Sequence, residues 1–215
     1  MPLTGLESLT YVVDLAAAVV FAATGALAAS RKELDIVGFM WFAVVTGVGG
    51  GTVRDLVLGA PVFWVEDASP VVACVGTAIV VHFTAHLAQS RYRLILWLDA
   101  AGLALVTVAG TSKALDLGAG PVVAVAMGMV TASVGGIIRD VLAQEPCVLL
   151  RREVYVTAAL AGAAAYVAAD GLGARREAAA AVGMTVAFLI RGAALRFSWS
   201  LPAYRARPGR DARKL

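Results

Sequence analysis

An Arg-Asp pair occurs twice in this chain, each time within an apolar segment and just after a run of glycines. The first copy reads Val48-Gly49-Gly50-Gly51-Thr52-Val53-Arg54-Asp55-Leu56, with Pro61 beyond it; the second reads Val134-Gly135-Gly136-Ile137-Ile138-Arg139-Asp140-Val141-Leu142, with Pro146 beyond it. Arg54 and Arg139, Asp55 and Asp140, Gly51 and Gly136, and Pro61 and Pro146 all stand 85 positions apart, so the copies align without a gap. An ionised Arg or Asp at membrane depth is costly and faces a partner or a water-filled cavity. Glycine inside a helix costs about 1 kcal/mol relative to alanine, and unwound backbone in a bilayer persists only where protein covers it or water reaches it. Gly49, Gly50, Gly51, Gly135 and Gly136 are therefore expected to break their helices and line a path. The competing reading, close helix packing through small residues, suits Gly25 and Gly110, which share the same offset.

Neighbours on a helix diverge by about 100°, so Arg54 and Asp55, like Arg139 and Asp140, are expected to seek partners elsewhere rather than neutralise each other. Two roles stay open for the four: lining vestibules on opposite sides of the midplane, or forming a buried salt-bridge lock. Lys113 ends an apolar run, where it either snorkels to the interface or faces the path as a gate. Asp14 and Asp99, again 85 apart, sit near span ends, where a cap or interface position competes with a pore acid. His82 and His86 share one helical face at metal-ligand spacing, but without nearby carboxylates or thiols they read as interfacial histidines. No metal box, cofactor motif or catalytic constellation appears, so neither a cofactor nor an enzyme is expected.

The elements that position these residues are membrane spans. The chain of 215 residues is 60% hydrophobic and 15% charged, with a mean hydropathy of +0.82, which excludes a soluble domain and fits a polytopic membrane protein. Seven apolar segments have spanning length: 9–29, 34–58, 70–87, 94–112, 121–142, 155–169 and 178–197, the sixth being short. Segment 1–202 reads as one all-α, seven-helix domain and 203–215 as a basic tail. The first run is full length with no basic residue before it, so it is expected to stay in the mature protein rather than act as a cleaved signal. Cys74 and Cys147 are too few and too differently placed for a disulfide framework.

Basic residues are unevenly shared between the two sides. Arg31, Lys32, Arg91, Arg93, Arg151, Arg152, Arg196 and the tail lie on one side, against Lys113, Arg175 and Arg176 on the other. The positive-inside rule then puts the C-terminus in the cytoplasm and the N-terminus outside. It also explains the net charge of +3 without invoking nucleic acid. Arg191 and Arg196 are expected to snorkel to the cytoplasmic headgroups, with Trp199 and Tyr204 in the aromatic belt. A three-span unit repeated directly must reappear upside down, giving repeats at about 9–87 and 94–169 and an unpaired seventh helix that packs outside. Inverted repeats of this kind place a substrate or ion path at the repeat interface near the midplane.

At Gly49-Gly50-Gly51-Thr52-Val53-Arg54-Asp55-Leu56 and its echo Gly135-Gly136-Ile137-Ile138-Arg139-Asp140-Val141, the chain resembles prokaryotic members of the trimeric intracellular cation channel (TRIC) family, also described as duplicated glycine-transporter domains. Pro61-Val62-Phe63-Trp64, Ser112-Lys113-Ala114-Leu115, Arg152-Glu153-Val154-Tyr155 and the stretch from Ala194 to Pro202 match as well. The resemblance implies a homotrimer of seven-helix subunits, each with its own pore, broken second and fifth spans, permeation by potassium or another monovalent cation, and membrane lipid bound between subunits. Animal members carry a basic motif in the fourth span tied to voltage response, and here Lys113 is the basic residue near that end. A secondary transporter for glycine or another small solute is the alternative that the same inverted architecture supports.

Overall fold

The computed structural model describes residues 5–87, 90–147 and 154–202, with 5–10 by backbone alone. Arg151, Arg152, Tyr204 and the tail lie outside the described residues. The elements are all helical: α1 (Gly5–Arg31), α2 (Ile36–Val57), α3 (Phe63–Glu66), α4 (Ser69–Thr84), α5 (Arg91–Asp116), α6 (Pro121–Leu142), α7 (Val156–Gly171) and α8 (Arg176–Phe197), with a 3-10 turn, Ala85–Leu87, closing α4. Six of them are long and apolar enough to cross a bilayer, and α7 is the short apolar seventh. At 16 residues a straight α7 is about 24 Å long. The chain is a multi-pass membrane protein whose seven spans coincide with the expected segments to within a few residues. Only α3 is additional, a single turn after Pro61.

Helix ends repeat between the halves. α1 stops where Glu33 adopts φ 54° and α5 where Gly118 adopts φ 80°; α2 stops at Gly59, φ 66°, and α6 at Gln144, φ 51°. Ala60 N–H donates to Asp55 O at 2.9 Å, and Glu145 N–H donates to Asp140 O at 2.9 Å. In each pair one copy uses glycine, which reaches this backbone region freely, while the other holds a side chain there at roughly 1–2 kcal/mol. At the starts, Asp35 caps α2 by accepting from Gly38 N–H at 2.7 Å, and Ser90 caps α5 by accepting from Arg93 N–H at 3.3 Å.

The first helices of the two repeats, α1 and α5, form the centre. Ala17, Ala18, Ala22, Ala26 and Ala29 on α1, and Ala100, Ala104, Ala109 and Ala114 on α5, are buried. Within a bilayer there is no water to expel between helices, so small residues gain dispersion energy by letting backbones approach. α2 and α4 lie on α1, and α6 and α7 lie on α5, while α8 covers α5 and α7. The repeats meet where α2 crosses α6 and α1 runs beside α5.

The glycines do not break their helices. α2 is continuous through Gly49, Gly50 and Gly51, and α6 through Gly135 and Gly136. Tertiary contact overrides local propensity. A Cβ on Gly50 would stand 2.2 Å from Thr131 O, and one on Gly135 would stand 2.5 Å from Thr46 O, so the two helices touch backbone to backbone at reciprocal positions. A Cβ on Gly51 would stand 2.6 Å from the Phe63 ring and one on Gly49 3.0 Å from Ile138 Cδ1, whereas one on Gly136 would meet nothing nearer than the Tyr155 hydroxyl at 3.4 Å, an ordinary contact. Gly25 and Gly110 pack in the same manner against α2 and α6.

Candidate functional site

Either side of this crossing lies a buried cluster of charge. On α2, Arg54 and Asp55 are both fully buried. Arg54 Nε donates to Asp55 Oδ1 at 2.8 Å, and its terminal nitrogens donate to the two carboxylate oxygens of Asp14 on α1 at 3.0 and 3.4 Å. Lys113 Nζ, from α5, reaches the same Asp55 Oδ1 at 2.8 Å. The other oxygen of Asp55 accepts the Phe63 backbone N–H at 3.0 Å. Trp64 Nε1 donates to the Thr52 hydroxyl at 2.8 Å, and the Phe63 ring lies 5.7 Å from the Arg54 guanidinium. The Pro61-Val62-Phe63-Trp64 segment therefore closes the first cluster through α3.

The second cluster repeats that plan. Arg139 on α6 donates through Nε and Nη2 to Asp140 Oδ1 at 3.0 and 2.9 Å. Its Nη1 donates to Asp99 Oδ1 on α5 at 2.8 Å and to the Thr24 hydroxyl on α1 at 3.0 Å. Asp99, Arg139 and Asp140 line a cavity of about 20 Å³ together with Ala28, Arg31 and Glu145, large enough for about one water molecule. Arg31 and Glu145 pair with each other there at 3.1 Å. Segment 148–153, the counterpart of the Phe63 segment, lies outside the described residues.

Three expectations about these charges need correcting. Each arginine does pair with its neighbouring aspartate. The 100° divergence separates only the Cβ directions, and the long arginine side chain folds back so that Nε meets the next carboxylate while the terminal nitrogens reach across to another helix. Asp14 and Asp99 are not caps but the cross-helix partners of Arg54 and Arg139, in each case 40 residues away. The common offset and the common separation were both present in the sequence and would have found them. Lys113 does not snorkel outwards; it turns inwards onto Asp55.

Other expected residues fall elsewhere. Arg191 is 1% exposed, so it does not snorkel: its guanidinium lies 5.1 Å from the Tyr155 ring and donates to Val154 O at 3.4 Å. Arg196 is exposed beside Phe197, and Trp199, also exposed, stacks on that same ring. His82 meets the Phe39 ring edge-on at 4.7 Å rather than a metal partner. Cys74 is buried and Cys147 half-buried, both as free thiols.

A family model described as "Glycine transporter" matches twice, over residues 11–86 and 96–170. The chain is 56% identical to the TRIC trimeric intracellular cation channel orthologue from Rhodobacter sphaeroides, with a TM-score of 0.87 over 89% of this chain and 100% of that one. A prokaryotic TRIC channel crystallised in 0.5 M KCl is 26% identical, with a TM-score of 0.84 over 90% and 99% of the two chains. The UPF0126 inner membrane protein YadS of Escherichia coli (strain K12) is 41% identical over 202 residues, covering 91% of this chain and 96% of the relative. Matched twice by one family model and along nearly its whole length by these relatives, the chain belongs to the TRIC family, whose fold is that of channels rather than of enzymes.

Proposed function

We propose that this protein is a channel for monovalent cations, potassium foremost, with a conduction path inside each subunit of a homotrimer. The observation that carries the reading is the end-to-end likeness, at 56% identity, to a trimeric intracellular cation channel. The geometry supports it in three ways. Four carboxylates, Asp14, Asp55, Asp99 and Asp140, are drawn into two clusters on either side of the helix crossing, each with a basic partner. Hydroxyls of Thr24, Thr46, Thr107, Thr111 and Thr131 are buried along the helices between them. The Thr46 hydroxyl has no hydrogen-bond partner among the described residues, and a buried polar atom of that kind fits a seam that admits water or an ion.

With α2 and α6 unbroken, the path owes nothing to free carbonyls or amides at helix breaks. It runs beside the α2–α6 crossing, along the seam that α1 and α5 share with those helices. Gly50 and Gly135 set the spacing there, Gly49, Gly51 and Gly136 flank them, and the clusters of Arg54 with Asp55 and Arg139 with Asp140 hold the two ends. Lys113, seated on Asp55, is the gate candidate. The membrane is the cytoplasmic one, the C-terminus faces the cytoplasm, the N-terminus lies outside, and lipid fills the spaces between subunits. Residues 1–202 form one conducting domain built of two inverted repeats.

Planar-bilayer recording in asymmetric potassium chloride tests this directly. The expected outcome is discrete current steps that reverse near the potassium equilibrium potential. Saturable exchange of glycine without steps would replace the channel with the transporter that the family description names.

A further inference from the structure

We propose that the ion pair between Arg31 and Glu145 is the cytoplasmic gate of the conduction path, a bar across the mouth of the small cavity that leads to Asp99, Arg139 and Asp140. The proposal rests on the channel reading and names the part of the chain that opens and closes one end of it. Arg31 is the last residue of α1, and Glu145 follows the left-handed turn at Gln144 that ends α6. Arg31 Nη1 stands 3.1 Å from Glu145 Oε1 and donates to Oε2 at 3.2 Å. The Arg31 guanidinium also lies over the Tyr92 ring, 4.9 Å from its centre, at the first turn of α5. Three helix ends, one from the first repeat and two from the second, thus meet over one cavity.

The cavity extends inwards from that pair. Ala28, one turn back along α1, lines it, and so does Asp99, about 10 Å further along α5 than Tyr92. Its volume of about 20 Å³ holds about one water molecule, too little for a hydrated cation, so an ion bound for the seam passes only when the pair parts. The pair is weak enough to part. Its side chains are 33% and 19% exposed, against 6% and 3% for Arg139 and Asp99, and a part-solvated ion pair is far more easily separated than a buried one. The first repeat has no such bar. The counterparts of Arg31 and Glu145, 85 positions away, are Asp116 and Ala60, and Asp116 pairs with Arg176 on α8 rather than across the repeats. The bar is therefore an addition at one mouth, separate from the duplicated clusters. Arg31→Gln and Glu145→Gln remove opposite charges from one place, so a purely electrostatic role would push cation current in opposite directions. Loss of a bar moves both the same way, and Glu145→Gln further, because Lys32 still stands 3.9 Å from Glu145 when Arg31 is gone.

Two readouts on the full-length protein test the gate, one of them independent of current. Ala28→Cys puts a thiol in the cavity, in a Cys147→Ser background that leaves only the buried Cys74 besides. Its modification by methanethiosulfonate ethylammonium is timed by mass spectrometry in lipid nanodiscs, and planar-bilayer recording gives the open probability. Glu145→Gln should raise the modification rate and the open probability about fivefold and Arg31→Gln about twofold, with elution volume and thermal midpoint unchanged. Arg31→Glu combined with Glu145→Arg remakes the pair and should return both readouts to wild type. Folded single variants whose thiol reacts no faster would overturn the gate, as would currents that shift in opposite directions. Faster modification with no potassium steps in wild type or in any variant would remove the channel reading itself and leave the pair as the cover of a closed pocket.

Discussion

The two charge clusters share a plan and differ in what the central helices add to it. Asp14, Arg54 and Asp55 form the first, and Asp99, Arg139 and Asp140, each 85 positions on, form the second. In the first, α5 contributes Lys113; the equivalent position beside the second is Ala28 on α1, which lines the small cavity there. In the second, α1 contributes Thr24 to Arg139; the equivalent position beside the first is Ala109. Burial differs as well, because the Asp14 side chain is 16% exposed and that of Asp99 only 3%. Duplication thus preserved the three residues that lock α2 to α1 and α6 to α5, while the helix facing each lock diverged. What the central helices add is therefore chemically unequal, a second cation from Lys113 in one case and a neutral hydroxyl from Thr24 in the other.

Removing the arginines breaks the comparison most severely. Arg139→Met strands Asp99, whose side chain is only 3% exposed, and breaking a buried pair from one side costs about 3–5 kcal/mol. Arg54→Met should cost less, because Asp14 is partly hydrated and Lys113 stays on Asp55. Thermal unfolding in detergent should therefore rank wild type above Arg54→Met and Arg54→Met above Arg139→Met. Adding Asp99→Asn to Arg139→Met should restore part of the loss, since the stranded charge is then gone. Equal losses for the two single variants would mean that burial and Lys113 make no difference, and the clusters would be energetic equals.

The glycine contacts sharpen the comparison at the crossing, where the halves are alike. Gly50→Ala and Gly135→Ala each drive a methyl into a backbone carbonyl, at 2.2 and 2.5 Å, and overpacking of this sort costs about 1–3 kcal/mol. Both should lower stability by similar amounts. Gly136→Ala, one residue on, meets atoms no nearer than 3.4 Å and should be neutral or slightly stabilising, by up to about 1 kcal/mol from helix propensity. A Gly136→Ala loss as large as the other two would show that α6 needs its glycines for something besides contact with α2.

Those glycines also mark how far the sequence could be read. Spans, repeat and charge pairs were legible because apolar length, offset and local charge are properties of the chain alone. Continuity of α2 and α6 was not, because the penalty for glycine is local whereas the carbonyl of Thr131 that Gly50 admits comes from the other repeat. Pairing of Arg54 with Asp55 was missed by treating Cβ directions as side-chain directions. Asp14 and Asp99 were visible at the right offset, yet assigning them to Arg54 and Arg139 required knowing that α1 packs on α2 as α5 packs on α6. Arg191 looked like a snorkelling residue because nothing near it in sequence announces Tyr155 as its cover.

Lys113 gives the smallest effect and the most informative one, since α5 supplies it to the first cluster whereas the equivalent position on α1 is Ala28. Its side chain is 22% exposed while Asp55 is fully buried, and because Arg54 Nε stays on the same Asp55 oxygen the carboxylate is not stranded, so the loss should be about 1 kcal/mol. Lys113→Met should therefore leave the thermal midpoint within a few degrees of wild type, with Arg54 still on Asp55. Conduction along the proposed path should respond more than stability, because a positive charge at one end of that path would oppose the permeating cation whether or not it holds the fold together. Removing it should raise unitary potassium current by about two- to fivefold, on the order of 0.4–1 kcal/mol of barrier, and should tilt the current-voltage relation, because only one end of the seam has changed. Lys113→Arg, which keeps the charge, should stay near wild type. A Lys113→Met channel with unaltered current and symmetry would take Lys113 out of the path and leave it as a strap between α5 and α2.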